Sequence, residues 1–157
     1  MRATRRFRTR KSGGFTLIEL MVTIVIATIL ISIAVPTYQN SIRKSRRTEA
    51  RTALLDFASR EERFNSTNST YSDLPVNMGY AGAFPITVGS GYYQVSVCVN
   101  TALPCTADAG TGTKFLLTAT PVGAQVKDTI CGSFTLDNTG AEAVTGTASA
   151  TPSTCWN

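Results

Sequence analysis

FTLIELMVTIVIATILISIAV occupies residues 15–35 and decides how the rest of the chain is read. It is 21 residues long and carries one charge, Glu19, at its fifth position. At 1.5 Å per residue a helix of this length spans about 31 Å, enough to cross the hydrocarbon core of a bilayer. Its hydroxyl residues Thr16, Thr23, Thr28 and Ser32 can bond back to helix carbonyls, so they interrupt the apolar run only mildly. A lone carboxylate at the bilayer centre costs roughly 2.5–3.5 kcal/mol on insertion scales, and less near the interface. Glu19 therefore calls for a partner or a purpose.

Working outward, the segment ahead is basic. Arg2, Arg5, Arg6, Arg8, Arg10 and Lys11 precede the run with no acid among them. They account for more than the whole formal net charge of +5; from Phe15 onward nine Lys+Arg face ten Asp+Glu. The overall basicity thus reports on the leader and is poor evidence for a nucleic-acid-binding head. Positive charge before the apolar run places the N-terminus in the cytoplasm and exports the C-terminal part. The order of features is not that of an ordinary secretory signal, whose cleavage site comes after its apolar region. Here the small-residue pair Gly13-Gly14 precedes it. A cut there would remove the basic leader and keep the helix.

The run GFTLIEL, residues 14–20, resembles the prepilin motif of type IV pilins and their pseudopilin relatives. That resemblance implies a bacterial inner-membrane protein with a periplasmic C-terminus, later part of an extracellular filament. It implies a prepilin peptidase/methylase that cuts after Gly14 and N-methylates Phe15. It implies that Glu19 pairs with the Phe15 amine of a neighbouring subunit and sets axial register in assembly. The alternative for Glu19 is a side chain that reaches back toward headgroups. Pro36 falls where the family often has a proline; lacking an N–H, it is expected to kink the helix at the membrane exit.

Beyond Pro36 the pattern becomes amphipathic. Tyr38, Ile42, Ala50, Ala53, Leu54, Phe57 and Phe64 recur mostly at three- and four-residue steps. The spacing predicts one long helix over residues 15–65, apolar all round and then striped. The other face carries Arg43, Lys44, Arg46, Arg47, Glu49, Arg51, Arg60, Glu61, Glu62 and Arg63, of which residues 43–51 form a basic cluster with one acid, Glu49. A solvated or headgroup-facing surface accounts for it better than a DNA site, because no reading motif accompanies it.

NSTNST, residues 65–70, ends the helical pattern with turn formers and contains two N-x-[ST] sequons, read as loop residues. Residues 72–91 read as a Gly-rich loop with a short helical turn. YYQVSVCV (92–99), KFLLTATP (114–121), GSFTLD (132–137) and AEAVTG (141–146) read as strands, the last two as a hairpin with Gly140 in its turn. Three or four antiparallel strands covering the helix stripe give an α+β architecture, the pilin fold of the resemblance. Its parts are a leader (1–14), a transmembrane and filament-core helix (15–35), an amphipathic half-helix (36–65) and a globular head (66–157).

Four cysteines, Cys98, Cys105, Cys131 and Cys155, lie downstream of the apolar run, as expected of two disulfides in an oxidising compartment. A zinc site is the alternative, but their spacings lack short C-x2–4-C pairs. Three connectivities are open; local pairing, 98–105 with 131–155, staples one segment each. The CGSFTLDNTG run and the terminal CW are similar to the C-terminal region of PilE-type minor pilins, which a disulfide commonly closes.

Nothing here resembles a catalytic site. There is no histidine, so a serine nucleophile would lack the commonest base. Asp108, Asp128 and Asp137 lack the spacing of a calcium loop. GSG (89–91) and GTG (110–112) lack the strand–loop–helix context of a phosphate site and read as flexible loops. The expectation is a structural subunit without metal or cofactor, more minor than major. It would support pilus assembly, twitching motility and surface adhesion, and its partners would be other pilin subunits and the inner-membrane assembly machinery. The alternatives are a major pilin, a type II secretion pseudopilin, or a membrane-anchored module that binds DNA or another ligand.

Overall fold

The computed structural model describes residues 14–100 and 111–157. The chain divides after Gln39 into an N-terminal helical unit and a head formed by Asn40–Asn157.

A single helix, α1, runs Leu17–Asn68 and contributes to both units. Thr16 starts it. The Glu19 amide donates to Thr16 Oγ1 at 3.3 Å and the Leu20 amide to the Thr16 carbonyl at 3.2 Å, which makes Thr16 the N-cap. The other hydroxyls bond back as expected: Thr23 to the Leu20 carbonyl at 2.9 Å, Thr28 to Ile24 at 2.8 Å and Ser32 to Ile29 at 2.7 Å. Thr16 departs from that expectation because it is the cap and accepts instead. The helix assignment runs through Pro36 without a break, and Thr37 Oγ1 donates to the Ile33 carbonyl at 3.1 Å.

The helix also passes the expected end at Asn65 by three residues. Asn68 Nδ2 donates to the Phe64 carbonyl, the Ser69 amide closes on Asn65, and Ser69 turns left-handed with φ 56°. The polar repeat stops the helix only when its local side-chain bonds have been used.

In the head, α1 buries Ala50, Leu54 and Phe57 against a five-stranded antiparallel sheet. Its strands are β2 (Ile86–Val88), β3 (Tyr93–Val99), β5 (Phe115–Pro121), β6 (Phe134–Asp137) and β7 (Glu142–Val144), in the order β2-β3-β5-β6-β7. Two short segments, β1 (Tyr71–Ser72) and β4 (Thr111–Gly112), pair separately. Register explains the core. Val97 faces Leu117, which faces Leu136; Val95 faces Ala119, which faces Phe134 and then Val144. The period of two puts all of these on the buried face. Burial of each large side chain here contributes about 1.5–3 kcal/mol.

Of the helix stripe, Ile42, Ala53 and Phe64 are half-buried and Tyr38 is exposed. The expected loop at 72–91 holds a 3-10 turn, Pro75–Met78, and the strand β2. GTG is in part β4, and so a paired strand rather than a flexible loop. Cys131 and Cys155 are disulfide-bonded, with Cα atoms 5.8 Å apart. Cys98 is also in a disulfide. Its expected partner, Cys105, lies outside the described residues, as does Asp108. A short helix, α2 (Ser153–Trp156), comes after β7; Trp156 Nε1 donates to the Ala143 carbonyl at 3.2 Å and its ring meets Phe134 edge-on.

Candidate functional site

Two regions bear on function: the start of α1, and the head around the basic cluster. At the start, Gly14 has open space where a Cβ would stand and Phe15 is 82% exposed. Every large apolar side chain from Phe15 to Val35 is at least 46% exposed. The best 18-residue window of α1 has a mean hydropathy of 2.6. Such a surface is stable only in lipid or against other helices. Glu19 is exposed in the first turn, where the helix dipole favours an acid. Thr16-x-x-Glu19 also has the spacing of a capping box, a signal carried by the sequence itself. The capping residue and the acid therefore sit on the same turn.

The basic cluster does not form a single solvated face. Arg47 is engaged by Asp128: its Nε and one terminal nitrogen donate to the two carboxylate oxygens, each at 2.6 Å. Gln125 Nε2 adds a bond to Asp128 at 3.0 Å, reaches the Tyr93 hydroxyl at 3.3 Å and the Arg43 carbonyl at 3.5 Å. Burial, with the Asp128 charge adding, pushes the Tyr93 phenol up to about 12. Arg46 lies over the Tyr92 ring, 3.3 Å from its centroid. Lys44 is exposed and Arg51 half-exposed; neither makes a salt bridge to a described residue.

Glu49 accepts from the Ser90 amide at 2.8 Å and hydroxyl at 2.6 Å, and the hydroxyl bond leads in holding its carboxyl below the usual range. The GSG segment is thus pinned to α1 and is not the flexible loop expected. A shallow hollow beside it, lined by Ser45, Thr48, Glu49, Thr52, Ala53 and Gly89, has Glu49 as its one titratable group. That group is already engaged by Ser90.

Sequence reasoning missed one residue entirely. Glu61, placed with the polar face, is fully buried beside Ser72, whose amide donates to Oε2 at 3.2 Å. Burial is the first cause that raises its carboxyl to about 7, with Asp73 and Glu62 adding and the Ser72 bond opposing. The signal was available: position 61 is one helical repeat beyond 50, 54 and 57.

Asp137 fits the turn as expected. Its Oδ1 accepts from the Thr139 amide and hydroxyl and from the Ala141 amide. Gly140 there has φ 80°, which a side chain would strain.

A helix apolar at its start and striped further on, with an acid in its first turn and a disulfide-closed sheet in the head, is the construction of a type IV pilin. Residues 9–35 match the family model for the prokaryotic N-terminal methylation motif. Residues 36–135 match the model described as type IV minor pilin ComP, DNA uptake sequence receptor, and the chain belongs to that family. A curated relative, the type IV major pilin protein PilA of Myxococcus xanthus (strain DK1622), is 38% identical over 76 residues, 48% of this chain and 34% of that protein. The chain thus matches about a third of that relative's length. A solved type IV pilin structure from Shewanella oneidensis is 28% identical, with a TM-score of 0.44, covering 64% of this chain and 89% of that one. Together the two family models place the chain among the type IV pilins. Its N-terminal apolar helix fits it for membrane anchoring.

Proposed function

We propose that this chain is a minor pilus subunit whose head binds double-stranded DNA. The observation that carries the reading is the family match over residues 36–135, most of the head. Lys44, Arg51, Arg63, Lys114 and Lys127 support it, since they make no salt bridge to a described residue. Cations of this kind bind phosphates by releasing counterions. The sequence alone favoured a solvated or headgroup-facing cluster at 43–51; the family match shifts the weight toward DNA, but not onto Arg46 and Arg47, which are engaged within the head.

The test uses the full-length protein in a neutral detergent with labelled duplexes. Binding should weaken linearly in log K against log salt, and one duplex sequence should bind tighter than scrambled controls. Affinity no better than the non-specific range of about 10⁻⁴–10⁻⁶ M for every duplex would overturn the reading.

Assembly in this reading begins with removal of residues 1–14 on the cytoplasmic side and methylation of Phe15. The new amine lies one turn from Glu19, and in the filament it neutralises the Glu19 carboxylate of a neighbour. Thr16 supports this arrangement because it caps α1 at the turn that carries Glu19. Pro36 would serve as the place where the helix yields during extraction. Mass spectrometry of the protein from its host tests the cut: retention of residues 1–14 in filaments rules it out.

A further inference from the structure

Glu61 sits where α1 meets the segment that leads the chain toward the sheet. That segment, residues 71–78, comprises β1, Asp73, Leu74 and the 3-10 turn Pro75–Met78. Side chains of α1 hold it. Glu61 Oε2 accepts from the Ser72 amide at 3.2 Å, Glu62 Oε1 accepts from the Tyr71 hydroxyl at 2.9 Å, and Arg60 donates to the Met78 carbonyl at 3.1 Å. Of these three helix residues only Glu61 is fully buried. Ser72 in turn organises the segment: its Oγ accepts from the Leu74 amide at 3.1 Å and from Asn77 Nδ2 at 2.8 Å.

Among the described residues no cation answers the Glu61 carboxyl. Its Oε1 has no hydrogen-bond partner there, and Asp73 and Glu62 face it with like charge. Arg60 is turned to Asp56 at 2.9 Å, and Arg63 is exposed. The 3-10 turn and strands β2 to β5 contain no Asp, Glu, Lys or Arg, and residues 101–110 contain no Lys or Arg. The Tyr71 phenol, raised first by burial and then by its bond to Glu62, stays protonated below pH 10. An ionised carboxylate in this place would exchange its hydration for one amide donor, a cost that a neutral carboxylic acid avoids. Burial accordingly leads in pushing Glu61 up to about 7.

We propose that Glu61 is a protonation latch, whose neutral carboxyl holds residues 71–78 against the end of α1 and whose ionisation lets that segment open while the sheet stays folded. Opening of this kind is local, because the segment is a short unit with its own few attachments. It bares Tyr71 and Met78, which the closed head buries. In the open segment the carboxylate regains water, so opening releases a proton and becomes easier as pH rises from 4.5 through 7. The proposal rests on the head alone, and on neither DNA binding nor assembly.

The test is hydrogen–deuterium exchange of the full-length protein in neutral detergent, with wild type and E61Q compared at each pH. Comparison at equal pH removes the intrinsic pH dependence of exchange. Between pH 5 and pH 7 the protection of residues 71–78 in wild type relative to E61Q should fall by up to about tenfold per pH unit. Residues 93–99 should keep equal protection in both. Equal protection of residues 71–78 at every pH overturns the proposal. So does a loss that reaches residues 93–99 to the same extent, which would make Glu61 a determinant of global stability alone. Should E61Q fail to protect residues 93–99 at pH 5, NMR of wild type decides. The Ser72 amide and the Glu61 side-chain carboxyl should then titrate with one midpoint, and a Ser72 amide that does not move with pH overturns the latch.

Discussion

Arg47 and Asp128, 81 residues apart in sequence, are joined by two parallel hydrogen bonds of 2.6 Å, with the Asp128 side chain 1% exposed. The pair ties the end of the 3-10 turn Gly123–Lys127 to α1. Removing only the arginine leaves a buried carboxylate without its counter-charge, which typically costs about 3–5 kcal/mol. R47A should therefore lower head stability by that order in urea unfolding monitored by Trp156 fluorescence. R47M/D128L, which removes both charges, should recover most of the loss. A fall in DNA affinity in R47E would report this lost pair and not a phosphate contact.

Glu61 makes stability depend on pH in an uncommon direction. Its folded carboxyl titrates near 7 and its unfolded one near 4.5. The folded state thus holds the proton more tightly, so its full contribution is present below pH 4.5 and is lost as pH rises through 7. The gap corresponds to roughly 3 kcal/mol. E61Q should flatten the pH dependence between 4.5 and 7 and be more stable than wild type at pH 8. Urea midpoints at pH 5 and pH 8 measure both.

The Cys131–Cys155 bond closes a segment with a sequence separation of 24. Chain entropy values a closure of this size at roughly 3 kcal/mol. C131S/C155S should lose about that much stability. It should also shift Trp156 emission to longer wavelength, because the indole is buried beside Cys155.

Glu19 makes no salt bridge to a described residue and lies in the first turn of α1. E19A should still be cleaved, since the cut precedes Phe15, yet should fail to enter filaments. Mass spectrometry of the membrane fraction and immunoblots of sheared filaments separate the two steps. Normal incorporation of E19A would remove Glu19 from the assembly account.

Much of this was legible because it is local. The apolar run, the alternation in residues 93–99 and 115–121, and the Gly140 turn each announce themselves over a few residues. The short strands β1, β2 and β4 are two or three residues long, too short for any period to show. The Arg47–Asp128 pair and the Glu49–Ser90 clamp join positions whose separation only the fold closes. Charged residues on a helix read as solvated until a partner from elsewhere arrives, which is why Glu61, Arg46 and Arg47 were all set on the wet face.

The indole of Trp156 has a consequence for crowding. The β7 strand forms one rim of the sheet, and identical subunits packed side by side would tend to zip rim to rim into a continuous ribbon. α2 comes directly beside that rim, with Trp156 Nε1 donating to the Ala143 carbonyl and Cys155 bonded to Cys131. The opposite rim, β2, is only three residues long. In the proposed filament, sheets with rims this short offer little to zip together, and elongation would fall to the apolar helices.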